Sequence, residues 1–472
     1  VTLIAGVDSS TQSCKVVIRD LETGALVRSG RSKHPDGTEV DPNAWFEALN
    51  LAIKDAGGFD DVESVSIGGQ QHGMVLLDSE GRVIRDALLW NDTRSAGTAS
   101  EIVAHFGAER IVELTGSLPV AAFTSTKVLW VSRNEPSNAA RVAAVCLPHD
   151  WLSWRLAGFG PEGESANGPD LSKLATDASD ASGTGYFNPV SSQYLPEVWQ
   201  FILGRTPILP RVVEPGDWAF EPNESRHFGI ACGAGDNAAA ALGLGADVGD
   251  VIVSLGTSGT VFAVTGQQSF DPTGTIAGFA SANSAFLPLV CTLNAARIMD
   301  SFAKLLDVSH EELSQLALAA KPGSAGIVVV PYFEGERTPN LPDATGAVLG
   351  LTLANNTREN LARAAIEGML SGLADGYRVL AKHGVVAKRV LLVGGAAASP
   401  AVQESAAQIF GVDVVIPKLG EYVADGAARQ AAEALTGTLP SWQIAVEVTV
   451  PANPVPEILE SYHASLETLH GN

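Results

Sequence analysis

The chain has 472 residues, room for about three average domains or two large ones, and its 46% hydrophobic content supplies full cores. Lys plus Arg number 30 against 53 Asp plus Glu, a net charge of −23. Such a surface repels nucleic acid and anionic membranes, so neither is expected as a partner, and a nucleotide would need local donors and a metal to overcome the field.

No apolar run reaches the roughly 18 residues that span a bilayer; the nearest, Phe228 to Ala246, carries Asp236 near its middle. The N-terminal VTLIAGVDSS has no basic region ahead of its apolar run, which does not fit a signal peptide. Cys14, Cys146, Cys232 and Cys291 are far apart and form no CxxC pair. A disulfide framework or zinc site is not expected, and a reducing cytoplasm suits the chain best.

In chain order, Ile4 to Ile18 (IAGVDSSTQSCKVVI) reads as strand, hydroxyl-rich turn and strand, continuing through the turn Glu22-Thr23-Gly24 into a strand at Ala25 to Arg28. A helix is predicted from Asn43 to Ala56, with Trp45, Leu49 and Ile53 on one face, and then a strand from Val62 to Ile67 ending in Gly68-Gly69. Residues 158 to 192, rich in Gly, Ser, Asn and Asp, read as a long surface excursion that is also a candidate part of the site. Pro207, Pro210, Pro215 and Pro222 suggest an irregular connector before the strand Ile230 to Cys232.

The plan then repeats. Ile252 to Val264 (IVSLGTSGTVFAV) is a second hairpin with a Gly/Ser/Thr tip, followed by helices near Ala295 to Leu306 and Arg358 to Lys382. The strand Arg389 to Val393 ends in Gly394-Gly395, as VSIGG ended in Gly68-Gly69. Two matches in the same order favour a duplicated α/β fold, hinged near residues 225 to 245 with a ligand in the cleft between its halves. A Gly/Ser/Thr tip offers N–H groups and hydroxyls to a phosphate without a bulky side chain in the way. There is no GxxxxGK[ST] loop and no GxGxxG after a strand, so neither a P-loop nor a dinucleotide fold is supported.

Candidate chemistry gathers at few places. GAGDNAAAALG (Gly233 to Gly243) places Asp236 where an Ala-rich helix begins, as an N-cap or as a carboxylate that accepts a proton from a substrate hydroxyl. Asp8 ends the first strand as an Asx-turn residue or as a carboxylate positioning Mg²⁺ beside phosphates. Lys15 beyond the turn either neutralises charge or is a solvated strand residue. In GQQHG, Gln71 and His72 stand between glycines and can donate and accept toward sugar hydroxyls, although His72 could equally be an ordinary core histidine. LLWNDTR (Leu88 to Arg94) could line the same wall.

With these residues in hand, the chain resembles the FGGY carbohydrate kinases, within the sugar kinase, Hsp70 and actin superfamily. The resemblance rests on GAVLGLTLANNTRENLARAAIE (Gly346 to Glu367), SLGTSG (Ser254 to Gly259), GERTP (Gly335 to Pro339), the GDNAA stretch at Asp236 and VGGAAASP (Val393 to Pro400). It fades after about Leu439. GQQHG with LLWND, FTSTKVLW (Phe123 to Trp130) and SDASGTGYFN (Ser179 to Asn188) look like the branch that phosphorylates D-xylulose, with a kinase for another sugar or polyol of the ribulose type, or a non-catalytic sugar-sensing relative, as alternatives.

The resemblance implies two ribonuclease H-like lobes of the actin/hexokinase type flanking a cleft. Residues 1–235 would form the sugar-binding lobe with the first phosphate hairpin, and 236–472 the ATP-binding lobe. By the same resemblance Asp236 is the general base and Asp8 the metal-associated carboxylate. Gln71, His72 and Asn237 would hold the sugar; Thr11, Lys15, Gly256 and Thr257 the phosphates; Gly394, Gly395, Ala396 and Ala398 the adenosine. ATP and Mg²⁺ are the implied cofactors.

Three departures stand out: DSSTQSCK where the family more often has DLGTSGxK, Gln71 where some relatives carry Met, and Ala396 in place of a third glycine. The tail from Pro440 to Asn472 is compatible with packing on either lobe or with a homodimer.

Overall fold

The computed structural model describes residues 1–470. In the first half, strands Leu3–Ser9, Ser13–Asp20 and Leu26–Lys33 form an antiparallel meander. On the other side of Leu3–Ser9 lie Val62–Gly69, parallel to it, then Gly229–Ala231, parallel, and Trp218–Phe220, antiparallel. In the second half, Asp250–Leu255, Gly259–Ala263 and Phe286–Thr292 repeat the meander, with Ala277–Ala280 added at its edge. Beyond Asp250–Leu255 come Arg389–Val393 and Asp413–Pro417, both parallel, and Val446–Val450, antiparallel. The two sheets match strand for strand in order and direction, so the duplication expected from two short motifs extends through both.

Local sequence accounts for most boundaries. The helix Pro42–Asp55 starts at a proline in its first turn, and Asp41 caps it by accepting the Asn43 N–H. It buries Trp45, Ala48, Leu49 and Ala52, a helical stripe, against the first meander. The helix Arg358–Lys382 and strand Arg389–Val393 coincide with their expected bounds. Within that helix, Arg363 and Glu367 form a buried ion pair at 2.7 Å, and Glu367 also accepts from the Gly323 N–H and Ser324 hydroxyl. These two residues of the long family-like stretch thus hold a helix in its core.

Two further helices join the halves. Asp236–Gly243 follows the last strand of the first half yet buries Ala238, Ala241 and Leu242 with Ile252, Phe262 and Leu391 of the second sheet. Tyr422–Thr436 does the reverse, packing Ala424, Ala428, Ala431 and Ala432 against Ile4 and Val17 of the first sheet. Where they cross, a Cβ on Gly426 would lie 1.8 Å from the Ala239 carbonyl oxygen, and one on Gly243 would lie 2.0 Å from that of Tyr422. The helices therefore touch backbone to backbone.

Two expectations are corrected. Residues 158 to 192 are not one surface excursion: from Leu174 to Phe187 nearly every residue is buried, including Asp177, Ser179, Asp180, Ser182 and Thr184. Polar composition suggested exposure, but these groups satisfy one another, with Asp177 accepting the N–H groups of Ser179 and Asp180 at 2.8 and 3.1 Å. The proline-rich connector is also partly regular, because Arg211–Val213 pairs in parallel with Ala175–Asp177.

The tail packs on both halves. The Trp442 indole donates to the Leu21 carbonyl at 3.0 Å, Val446–Val450 closes the second sheet, and the helix Pro456–His470 buries Ile458 and Tyr462. Among the described residues no helix is long and apolar enough to cross a membrane.

The crossing makes a prediction. Glycine-to-alanine inside a helix ordinarily gains about 1 kcal/mol, and Gly372→Ala, whose Cβ would meet only ordinary contacts at 3.6 Å, is expected to be neutral or stabilising. Gly426→Ala must push two backbones apart and is expected to lose about 1–3 kcal/mol, as overpacked cores do. Urea unfolding midpoints of both variants decide the point; equal behaviour would mean that the crossing is not tight.

Candidate active site

Both joining helices begin at the cleft. Asp236 and Asn237 at the start of one, and Glu421 and Tyr422 at the start of the other, line a cavity of about 350 Å³ together with Asp8, Lys15, Ser254 and Gly394. Helix N-termini carry partial positive charge and unpaired N–H groups, which favours an anion there. The cavity thus draws on both hairpin strands and both joining helices.

Asp236 is the first residue of its helix and Gly235 is the N-cap, so the simple N-cap reading is corrected. Its Oδ1 accepts from the Asn237 backbone N–H at 2.7 Å and side-chain amide at 3.0 Å. The same amide donates to Gln71 Oε1 at 3.2 Å, joining three of the predicted residues in one chain. Burial, and then the charge of Asp8, push the Asp236 carboxyl up to about 7. A carboxylate so placed is a base matched to neutral pH.

Asp8 is 4% exposed, and burial raises its carboxyl to about 6 against the opposing pull of Lys15. Its Oδ2 lies 3.3 Å from Lys15 Nζ, while its buried Oδ1 has no partner. Lys15 is neither solvated nor free: it bridges Asp8 to Glu421 of the other half at 2.6 Å. Sequence reading missed Glu421, which sits in an unremarkable GEY stretch.

Gln71 is buried and donates to the Ser179 carbonyl at 3.3 Å. His72 has φ 69° and its Nδ1 lies 2.6 Å from the Gly183 carbonyl oxygen, so Nδ1 carries the proton and Nε2 is left as an acceptor. Its ring stacks on Phe123 at 4.9 Å. Burial and the charge of Lys127 depress the imidazole to about 3, so it is neutral at any working pH. Lys127, also missed, is buried and donates to the carbonyls of His72 (2.9 Å) and Ala122 (2.5 Å), its own ammonium pushed down to about 7 by burial.

At the tip of the first hairpin, the Thr11 hydroxyl donates to Gln70 Oε1 at 3.4 Å and accepts from the Trp90 indole at 2.9 Å. The Ser10 hydroxyl donates to the Ser13 carbonyl at 3.0 Å. Trp90 brings LLWND to this wall.

The tip of the second hairpin is exposed at Gly256 and Thr257, and its carbonyls are anchored by the N–H groups of Ala296 and Ala295. Beside it a cavity of about 660 Å³ is lined by Gly256, Thr257, Gly395, Ala396 and Ala398, with Met299, Ser314 and Gln315 from neighbouring helices. At Gly394, φ is +99° and a Cβ would stand 2.5 Å from the Leu255 carbonyl oxygen, so only glycine brings this turn against the hairpin.

The geometry thus gathers Asp8, Lys15, Asp236, Asn237 and Gln71 around the cleft, places His72 on the same loop as Gln71, and gives Gly256, Thr257 and the 395–398 turn a separate, larger cavity.

The FGGY carbohydrate kinase N-terminal domain matches residues 3–243 and the C-terminal domain residues 251–435. The xylulose kinase of Streptomyces rubiginosus is 41% identical, covering 99% of this chain and 95% of that protein. Among solved structures, the xylulose kinase of Bifidobacterium adolescentis superposes with a TM-score of 0.92 at 46% identity, covering 98% and 99% of the two chains. Plasmodium falciparum glycerol kinase shares the fold, with a TM-score of 0.85 at 19% identity over 99% and 98%. With the two family domains matched over residues 3–243 and 251–435 and a relative 41% identical over nearly the whole chain, the chain belongs to the FGGY family of carbohydrate kinases.

Proposed function

We propose that the chain transfers the γ-phosphoryl group of ATP to O5 of D-xylulose, with Asp236 as the general base. The observation that carries this reading is the linked chain Asp236–Asn237–Gln71 on the cleft wall, in a protein whose similar relatives at 41% and 46% identity are xylulose kinases. The lobes are taken as residues 1–235 and 236–472.

In this proposal Gln71, Asn237 and the His72 Nε2 hold the sugar hydroxyls. Asp236 accepts the proton of the attacking hydroxyl, and its raised carboxyl makes it a competent acceptor near neutrality. Adenosine occupies the 660 Å³ cavity against Gly395, Ala396 and Ala398, while Gly394, expected with them, lines the smaller cavity at the cleft. From there the triphosphate runs past Gly256 and Thr257 toward Thr11 and Lys15, whose N–H groups, hydroxyls and ammonium spread the charge of the transferring group.

The unpartnered Asp8 Oδ1 fits a carboxylate that helps to hold Mg²⁺. When bound, the ion would offset phosphate charge that an acidic chain otherwise repels. Closing of the lobes about the helix crossing would exclude water and limit ATP hydrolysis.

The test is ADP release from Mg-ATP with D-xylulose, D-ribulose, L-ribulose, L-xylulose, glycerol and no sugar. Preference for D-xylulose by kcat/KM is expected; preference for ribulose would keep the chemistry and reject the substrate. Asp236→Asn is expected to lower kcat by about 10²–10⁴-fold while calorimetry still detects sugar binding. Near-normal turnover would remove Asp236 from the mechanism.

Because Asp236 must be ionised to accept a proton, kcat/KM for the sugar is expected to fall on the acid side with an inflection near or below pH 7. A profile flat from pH 5 to 8 would contradict the assignment.

A further inference from the structure

We propose that His149 and Asp180 are positioning residues, a buried imidazolium–carboxylate pair that clamps the turn 177–184 beneath Gln71, His72 and the start of the Asp236 helix. The proposal rests on the reading of those three residues given above and assigns a role to groups that mechanism leaves unused.

His149 is 0% exposed, its Nδ1 lies 2.6 Å from Asp180 Oδ2, and its Nε2 lies 3.3 Å from Asp150 Oδ1. The Asp180 contact is a hydrogen bond, whereas Nε2 and Asp150 Oδ1 are within ion-pair distance but neither has a hydrogen-bond partner, so Asp150 acts on the ring through its charge. Burial by itself would lower the imidazole, but Asp150 and Asp180 outweigh it and hold it well above its ordinary value. Asp177 faces it as a third carboxylate, and Asp150 in turn faces Cys146, Tyr186 and Tyr194. The ring lies directly under the two glycine turns of the site: a Cβ on Gly69 would meet His149 Cβ at 2.8 Å, and one on Gly233 would meet the ring at 2.4 Å.

From Asp180 the same short turn reaches three site elements. The Ser179 hydroxyl accepts the Gly235 N–H at 3.1 Å, immediately before Asp236. The Ser179 carbonyl accepts from Gln71, and the Gly183 carbonyl accepts from His72. Ser182 fastens the turn to the other half by accepting the Ala280 N–H at 3.0 Å, while its hydroxyl donates to the Ser179 carbonyl at 2.7 Å. Displacing Asp180 would therefore move the sugar ligands and the base together while leaving the adenosine cavity alone. A charge pair suits this task, because a buried imidazolium with two carboxylates loses heavily on any departure from its geometry.

Two measurements test the proposal. The first needs no variant: in the full chain with ¹⁵N-labelled histidine, one of the nine histidines is expected to keep the ring-nitrogen shifts of a doubly protonated imidazolium at pH 8.5. If all nine are neutral there, the proposal is overturned. The second compares Asp180→Asn and His149→Gln with the parent chain, using whichever sugar the parent turns over best and normalising to folded protein. At least a tenfold fall in kcat and a several-fold rise in sugar KM are expected, with KM for ATP unchanged. A merely structural role would lower the thermal midpoint and the folded fraction but leave kcat and both KM values per folded molecule as they were, and that outcome overturns it. If the parent prefers a sugar other than D-xylulose, the substrate reading fails while both measurements still decide this one.

Discussion

Two helix backbones cross in direct contact, and the geometry of the cleft is inherited from that crossing. Gly426 sits against the Ala239 carbonyl and Gly243 against that of Tyr422, with no side chain between. Each helix is continuous with one half of the molecule and packed on the sheet of the other. Each also begins at the cleft, so Asp236 and Glu421 are carried at the starts of the two elements that cross. Alanine and glycine at the crossing preserve this at the cost of helix propensity, which the close packing offsets.

The electrostatics of the cleft follow from the same arrangement. Asp8, Asp236 and Glu421 converge on one cavity with Lys15 as the cation between them. Burial raises Asp8 and Asp236, and each suffers from a neighbouring carboxylate. An isolated set of acids would be a poor place for a triphosphate. Two helix N-termini, Lys15 and the hairpin tips reverse that locally, within a chain of net charge −23. The two cavities are also spatially divided: the larger one is lined by one half, while Gln71 and His72 belong to the other.

Much of this was legible beforehand, and the reasons are local. Both hairpins, the Gly69 and Gly394 turns and the helix after Gly235 carry apolar periodicity bounded by glycines, signals that act within a dozen residues. Asp8, Gln71, Asn237 and Asp236 were grouped by the family resemblance, and the structure brings them together because the parallel strands before them end at one edge of the first sheet. What stayed hidden depends on partners far away in the chain. Glu421 matters only because Lys15 faces it across the cleft. Lys127 sits in a helix with an ordinary pattern, and its burial against the His72 carbonyl is a property of packing. The stretch from Leu174 to Phe187 looked like surface since serine, aspartate and glycine usually are; here they are buried because His149, Gln71 and Gly235 use their hydrogen bonds.

The sequence by itself therefore determined the repeated α/β plan, the two hairpins with Gly/Ser/Thr tips and the identity of the family, because each is written in short-range pattern and residue class. Only the tertiary structure decided that the tail from Pro440 packs on both halves, adding a strand and a helix. It alone decided that the family-like stretch at Arg363 and Glu367 stabilises a core rather than lining the cleft. Both outcomes turn on which distant surfaces meet, and the free energy of burying a group depends on the partner it finds there.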